Sequence, residues 1–226
     1  MKILFQKKNT KLDPLRGLVL AAVMGASSVS VSQGAIIAGV NADAGTLGTF
    51  PTYSLPNLTN GAGLSSFDFS ATHSSTFSDM WLSTTGAAAV LPTAALPNHL
   101  TFDLGTTYSV EDIYIWQYLY IDGLDRQVTN FSVSTSLDNL DYTTQISNQA
   151  LALNLNTGQS FDLGGTVTQY VRLTINAANG SNAWVGLSEV QFDGVAAAPP
   201  SSIPEPSSTV VTGLIAALGM TLRRRK

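Results

Sequence analysis

The chain has 226 residues, no cysteine and a formal net charge of −4. This length suits one domain with terminal extensions, and the lack of cysteine excludes disulfides, thiolate metal centres and cysteine nucleophiles. Residues 35–203 hold two cations, Arg126 and Arg172, against eleven Asp and two Glu, so they lack the clustered basic side chains that binding to nucleic-acid phosphates requires.

The first 34 residues have the order of a secretory signal. The basic segment KKNTK at 7–11 precedes an apolar stretch from Gly17 to Ala26, and small residues follow it. This stretch is too short to cross a bilayer, which favours an export signal over a membrane span. We therefore expect residues 1–34 to be a signal peptide, cleaved between Ser30 and Ala35. An N-terminal helix of the domain core is the alternative.

The middle of the chain has the alternation of β-strands. Polar and apolar residues alternate in HLTFDLG (99–105), VEDIYIWQYLY (110–120), TNFSVSTS (129–136), QYVRLTIN (169–176) and SEVQFDG (188–194). This pattern indicates strands with one buried face, and no stretch here predicts a long amphipathic helix. Residues 35–195 are therefore predicted to form an all-β sandwich or barrel. The tetrapeptide FDLG occurs at 102–105 and 161–164, which predicts two strand ends that turn at glycine.

The C-terminus combines three features in a fixed order. A linker rich in alanine, proline and serine at 196–203 leads to Pro204, Glu205 and Pro206. A run of fourteen mainly apolar residues follows at 209–222, and the chain then reads Arg-Arg-Arg-Lys. A helix of that length measures about 21 Å, whereas the hydrocarbon core of a bilayer measures roughly 30 Å. The predicted membrane helix is therefore short, and its terminal cations should stay on the cytoplasmic side.

Residues 204–226 resemble the PEP-CTERM sorting signal. The resemblance implies that an exosortase, a membrane protease-transpeptidase, processes the tail near the motif in a Gram-negative-type bacterium that makes extracellular polysaccharide. It also implies transient association with the inner membrane, followed by display on the cell surface, in the outer envelope or in the extracellular matrix. An ordinary C-terminal membrane anchor is the alternative.

The order of motifs along the domain resembles the discoidin-like, factor V/VIII C-type family. The resemblance rests on NLTNG (57–61), MWLS (80–83), IYIWQY (113–118), DRQVTNFSVSTSLDN (125–139), QYVRLTI (169–175) and VGLSEVQFDG (185–194). It implies an eight-stranded jelly-roll β-sandwich of the galactose-binding-like type. Members of this family bind glycans, lipid headgroups or proteins rather than catalyse reactions.

The same resemblance implies a structural calcium ion. The family holds it near the loop that matches NLTNG and with a glutamate, which gives Asn57, Asn60, Gly61 and Glu189 as expected ligands. Where the family has Asp this chain has Asn60, so Asp68 is expected to supply the missing charge. Amide, carboxylate and backbone oxygens are the ligands that calcium prefers. A solvated strand residue is the alternative for Glu189.

Two loops are predicted to form a carbohydrate site. One carries Tyr120, Asp122 and Arg126, and the other carries Asn182 and Trp184. Loops at one end of a jelly roll can converge although they are distant in sequence, and together these supply a stacking face and polar groups. The alternatives are a local salt bridge for Arg126 and a purely structural aromatic for Trp184. Arg172 is expected to pair with an acid on the sheet face.

The sequence thus predicts an exported carbohydrate-binding protein without enzymatic activity. No catalytic spacing is visible, and His73 and His99 are too far apart to match a zinc motif. Two other functions stay open at this point. One is a structural protein of the envelope or exopolysaccharide matrix that binds protein or no specific ligand. The other is a polysaccharide-degrading enzyme, which would need two opposed carboxylates.

Overall fold

A computed structural model describes residues 34–84, 98–119, 124–180 and 184–198. Residues 1–33 of the predicted signal peptide, the linker beyond residue 198 and the predicted sorting tail lie outside the described residues, so their predictions stay untested. Within the described ranges, no helix has the length and apolar character needed to cross a membrane.

The described residues form eight strands and three short 3-10 helices. The strands are β1 (Ala35–Ile36), β2 (Asn41–Asp43), β3 (Trp81–Leu82), β4 (His99–Gln117), β5 (Val128–Ser136), β6 (Thr143–Ala150), β7 (Gln159–Ala178) and β8 (Gly186–Ala196). The 3-10 helices span Gly45–Leu47, Leu55–Leu58 and Phe77–Asp79. The predicted all-β class is confirmed.

The strands pair in antiparallel fashion in the order β1-β8-β4-β7-β5-β6, with β2 added to β4 and β3 added to β8. Strands β4 and β7 each contribute to two layers. Layer A holds β2, the first half of β4, the second half of β7, β5 and β6, and layer B holds β1, β3, β8 and the other halves. This arrangement is jelly-roll-like.

The two FDLG segments mark irregular positions in β4 and β7. Gly105 lies where β4 passes from layer A to layer B, and Gly164 lies in a bulge opposite Glu111 within layer B. Gly105 and Gly164 have φ angles of 80° and 63°, a region that glycine enters without a steric penalty. In each segment the aspartate side chain accepts a hydrogen bond from the glycine N–H, at 2.8 Å for Asp103 and 2.6 Å for Asp162. The prediction that strands end here is wrong, because β4 and β7 bend and continue.

The alternation seen in the sequence places the core between the layers. Leu100, Phe102 and Leu104 are buried, and the Phe102 ring meets the Phe192 ring of layer B at 5.3 Å between centroids. Full burial of each such side chain stabilises the fold by about 1.5–3 kcal/mol. Both layers therefore turn their apolar faces inward, as the period-two pattern predicts.

The outer face of layer B is also covered. The Trp116 indole N–H donates to the Ala71 carbonyl at 2.9 Å, and Phe69 stacks on Tyr114 with 4.1 Å between ring centroids. The segment between residues 59 and 80 therefore lies over this face. Trp116 of β4 and Glu189 and Gln191 of β8 are therefore buried, and the interpretation of Glu189 as a solvated strand residue is wrong.

Arg172 lies on the outer face of layer A. Its guanidinium carbon is 3.6 Å from the centre of the Tyr142 ring, which is a close cation–π contact. No acidic side chain forms an ion pair with it within the described part of the chain. The prediction that Arg172 pairs with an acid is therefore wrong, since an aromatic ring takes that place.

Candidate functional site

The structure brings Arg126 and Trp184 together. The guanidinium carbon of Arg126 lies 5.3 Å from the centre of the Trp184 ring, within the range of a cation–π contact. The Arg126 N–H donates to the Asn179 carbonyl at 3.0 Å, and the Gly186 N–H donates to the Arg126 carbonyl at 2.9 Å. These bonds fix the segment before β5 against the start of β8.

Tyr120, Asp122 and Asn182 lie outside the described residues. Their predicted part in a ligand site therefore stays a prediction. Of the five side chains predicted to contact a ligand, Arg126 and Trp184 are the pair whose geometry can be described.

Arg126 has an unusual backbone conformation. Its φ angle is 74°, in the left-handed region, where a residue other than glycine costs on the order of 1–3 kcal/mol. The two backbone hydrogen bonds that flank it hold this conformation in place. The Nε atom of the side chain is buried and has no hydrogen-bond partner in the described part of the protein. The backbone strain and the unpaired Nε both lower the stability of the fold at Arg126.

Arg126 and Trp184 border a cavity of about 370 Å³, a size typical of small-molecule sites. Phe50 meets Trp184 edge-on at 6.0 Å and Tyr53 at 5.9 Å, and Tyr53 meets Phe77 at 5.9 Å. The wall is therefore a contiguous group of aromatic rings. The described lining residues are Phe50, Thr52, Tyr53, Phe77, Leu82, Arg126 and Trp184.

The sequence analysis did not predict Phe50, Tyr53 and Phe77 as residues of the site. They lie in turns and 3-10 helices of the segment before β3, where no periodicity marks one face of the chain. The available signal is compositional: residues 50–77 hold five aromatic residues in a stretch without alternation. Phe77 is 43% exposed, which leaves an aromatic surface open at the edge of the cavity.

Two tyrosines, Tyr53 and Tyr118, form a hydrogen-bonded pair next to Arg126. The Tyr53 and Tyr118 hydroxyl oxygens are 2.9 Å apart, and Arg126 Nη1 donates to the Tyr118 oxygen over 3.4 Å. Tyr118 is almost fully buried. Burial raises the pKa of Tyr118 above its usual range, and the bond to Tyr53 adds to the rise, while Arg126 opposes it. The Tyr118 hydroxyl is therefore protonated at neutral pH.

The predicted calcium loop meets the predicted glutamate. The Gly61 N–H donates to both carboxylate oxygens of Glu189, at 3.1 and 3.2 Å. Asn60 Oδ1 accepts the Ala62 N–H at 2.8 Å, which leaves one lone pair of that oxygen available. Glu189 has no exposed surface. Burial raises the pKa of Glu189 to about 8, although the bonds from Gly61 and Gln191 act to lower it.

The donor set around Glu189 suits a hard cation. Gln191 lies on the same face of β8, is 3% exposed, and its Oε1 is buried without a hydrogen-bond partner in the described residues. No cluster of three or more His, Cys, Asp or Glu side chains occurs within the described ranges. A cation here would thus be bound by one carboxylate with amide and backbone oxygens, which are oxygen donors of the kind calcium takes. Sequence reasoning missed Gln191.

Asn57 and Asp68 make other contacts in this structure. The Asn57 amide donates to the Ser78 and Met80 carbonyls, at 2.7 and 3.1 Å, and so joins the chain just before the covering segment to the end of that segment. Asp68 Oδ1 accepts the Ser70 N–H and hydroxyl, at 2.8 and 2.6 Å. No contact joins Asp68 to Glu189 among the described interactions. Their roles as calcium ligands stay predictions.

Comparison with known proteins gives a matching domain family and several similar structures. The model of the F5/8 type C domain matches residues 62–190. No curated protein sequence matches the chain. One similar solved structure is CBM32-1 from a family 31 glycoside hydrolase of Clostridium perfringens, 11% identical, with a TM-score of 0.50 over 70% of this chain and 95% of that one.

Two further structures have similar coverage. The family 32 carbohydrate-binding module of C. perfringens NanJ, solved with galactose, is 15% identical with a TM-score of 0.47 over 68% of this chain and 93% of that one. GH31 CBM32-2 bound to GalNAc is 12% identical with a TM-score of 0.49 over 70% and 97%. At these identities the likeness concerns the fold alone.

Proposed function

Because the chain belongs to the F5/8 type C domain family, we propose that it is an exported, non-catalytic protein that binds carbohydrate in the cavity bordered by Arg126 and Trp184. One observation carries the proposal: a guanidinium and a wall of aromatic rings converge on a cavity large enough for a sugar residue. Aromatic rings pack against the C–H face of a sugar, and a few convergent polar groups fix its orientation.

The ends of the domain favour a tethered binder. Strand β8 begins at Gly186, beside Trp184, and its eleven residues end at Ala196, which is about 30 Å away at the usual rise of a strand. Ala35 pairs with Gly194 near that far end. We propose that residues 1–34 export the chain and that an exosortase acts on residues 204–226. The cavity would then face away from the point of attachment, towards an extracellular glycan or exopolysaccharide.

We also propose a structural calcium ion at Glu189. The Glu189 carboxylate and the unpartnered Gln191 oxygen support it, and Asn57, Asn60 and Gly61 are the further residues that would hold the ion. A bound cation supplies the charge that lets the buried Glu189 carboxylate stay ionised. Asp68 is the second carboxylate that we expect to contribute, through rearrangement of its local turn.

The test is a glycan array followed by calorimetry on the protein without its two predicted signals, with glycans ending in galactose and GalNAc among the probes. Substitution of Arg126→Ala or Trp184→Ala should weaken binding roughly ten- to a hundredfold, because each removes about 1.5–3 kcal/mol of contact. Arg172→Ala is the matched control, since it removes the other cation of the domain and should leave affinity unchanged.

The outcomes separate this function from its main alternative. Equal binding by wild type and by the folded Arg126→Ala variant would place the site elsewhere. A folded protein that retains no glycan would favour a structural role in the envelope or matrix.

A further inference from the structure

The polar side chains that line the cavity, Thr52, Tyr53 and Arg126, can all donate hydrogen bonds. Arg126 can only donate, and its Nη1 makes one long bond to Tyr118. No Asp or Glu forms an ion pair with this guanidinium in the described part of the chain. Among the residues that the structure describes, this half-buried cation therefore has no counter-charge to compensate its desolvation. An anionic group on a ligand would provide it.

The tyrosine pair extends this set of donors. The Tyr118 oxygen accepts from Arg126, because a guanidinium has no acceptor. The hydrogen of a buried hydroxyl needs an acceptor of its own, and the Tyr53 oxygen lies 2.9 Å away. Either hydroxyl of this pair can donate to the other; when Tyr118 donates to Tyr53, the Tyr53 hydrogen is left for a ligand. Tyr53 lines the cavity, so it adds a second donor beside Arg126.

Acceptors are scarce on the same surface. Among the described lining residues, Thr52 is the one besides the tyrosine whose side chain can accept a hydrogen bond, and the others are aromatic, aliphatic or purely donating. A sugar hydroxyl both donates and accepts, so several hydroxyls bound here would leave hydrogens without partners. A carboxylate only accepts, and pairs with a guanidinium through short, charge-assisted bonds.

We infer that this cavity selects a sugar that carries a carboxylate, a hexuronate residue, over its neutral counterpart. The inference rests on the proposed carbohydrate-binding function and names the class of sugar that the site takes. Arg126 pairs with the carboxylate, Tyr53 donates a further hydrogen bond, and the aromatic wall packs against the sugar ring.

The charge of the whole domain acts in the opposite direction. Residues 35–203 carry far more acids than cations, which repels an anionic polymer at long range. At physiological ionic strength the screening length is about 8 Å, so direct contacts in the cavity outweigh the distant charges. We therefore expect a preference of about tenfold at 0.15 M salt, rather than a much larger one.

The experiment compares three pairs of ligands on the full-length chain in mild detergent. Oligomers of galacturonate, glucuronate and mannuronate are each titrated as the free acid and as the methyl ester, by calorimetry in 0.15 M NaCl at pH 7. We expect at least one acid to bind about ten times more tightly than its ester. This preference should disappear below about pH 3.5, where the uronate carboxyl becomes protonated.

Two variants and one control locate the origin of the preference. Arg126→Gln removes the charge and should bring the ratio of acid to ester affinity to about one. Tyr53→Phe removes one donor and should lower the affinity for the acid three- to tenfold, with little change for the ester. Arg172→Gln removes the cation on layer A and should leave the ratio unchanged. Melting temperatures establish that each variant is folded.

Each outcome decides the inference. Esters or neutral oligosaccharides that bind as tightly as the acids would overturn it and leave the proposed function standing. A preference that survives in Arg126→Gln would overturn it as well. If no oligosaccharide of either kind binds the folded protein, the inference and the proposed function both fail. If Arg126→Gln does not fold, the wild-type comparison and Tyr53→Phe still give the answer.

Discussion

Glu189→Gln tests the proposed calcium site, because it keeps the shape of the side chain and removes the charge. In chelator, the buried Glu189 carboxyl has a pKa of about 8, above its usual value in an unfolded chain. The unfolded state therefore loses this proton first, and stability falls as pH rises from about 4.5 to 8. The contribution of the neutral carboxyl is present in full below pH 4.5. In Glu189→Gln this slope should be absent.

The expected magnitudes follow from the linkage relations. Each unit of pKa shift is worth about 1.4 kcal/mol, so the loss of stability across this pH range is on the order of a few kcal/mol. Calcium should reverse it, since the ion favours the ionised carboxylate. At a calcium concentration a hundred times the dissociation constant, binding adds about 2.7 kcal/mol. For a domain of this size that corresponds to a rise of about 5–10 °C in melting temperature.

The assay is thermal and urea unfolding at pH 5, 6.5 and 8, with calcium and with chelator. The difference between the two conditions should widen with pH in the wild type and vanish in Glu189→Gln. Glu111→Gln is the matched control, because Glu111 is the other glutamate of the domain and is exposed. A wild type that melts at the same temperature in calcium and in chelator at pH 8 would refute the calcium site.

Four further measurements test the structure and the predicted sorting tail. Tyr118→Phe should remove a late step from the ultraviolet titration of the tyrosines, since burial raises the pKa of Tyr118. Gly186→Ala should lower the free energy of unfolding more than Gly105→Ala, because a Cβ at Gly186 would lie 2.6 Å from the Tyr118 ring. A Cβ at Gly105 meets no atom within 4 Å, so Gly105→Ala should cost only the strain of a positive φ, about 1 kcal/mol. Deletion of residues 204–226 should release a folded domain into the medium or periplasm, as judged by fractionation and mass. Chelation should also weaken glycan binding, as measured by calorimetry at pH 8, and should have no such effect in Glu189→Gln.

Periodicity in the sequence was sufficient to predict β5, β8, most of β4 and the second half of β7, with their inward faces, but it did not reveal β1, β2, β3 or β6. Leu100, Phe102 and Leu104 alternate with polar residues. Because successive side chains of a strand point to opposite faces of the sheet, the apolar set must lie on one face. The same rule placed Glu189 opposite Val190 and Phe192. It could not show that the second face of β8 is buried, because that depends on the covering segment between residues 59 and 80, which has no period of its own.

The bend of β4 and β7 was misread for a related reason. Asp-x-Gly is a turn signal, and at Gly105 and Gly164 the local geometry is indeed that of a turn. Whether the chain then pairs again with the same neighbour depends on contacts far away in sequence, here the second set of pairs between β4 and β7. A local signal identifies a change of direction, but tertiary pairing decides whether the strand ends.

Two of the residues that line the candidate site could be predicted from the sequence, and its aromatic wall before β3 could not. Arg126 and Trp184 are visible in the sequence as a rare cation and a tryptophan in segments rich in turn residues, and their convergence follows from strands that end at the same pole. Phe50, Tyr53 and Phe77 were not visible, because their side chains meet only after the segment before β3 has folded back against β8. Aromatic residues in a stretch without alternation are the clue to such a wall.

The two candidate sites depend on the same stretch of chain. The segment that supplies Gly61 to Glu189 also supplies Tyr53 and Phe77 to the cavity, and the Asn57 amide joins its parts through the Ser78 and Met80 carbonyls. Order imposed at one end of such a segment reduces the conformational entropy that a ligand must remove at the other. A cation at Glu189 would thus favour glycan binding without touching the glycan. The proposed ion would thus account for the buried Glu189 carboxylate, because it would anchor the segment on which the aromatic wall is built.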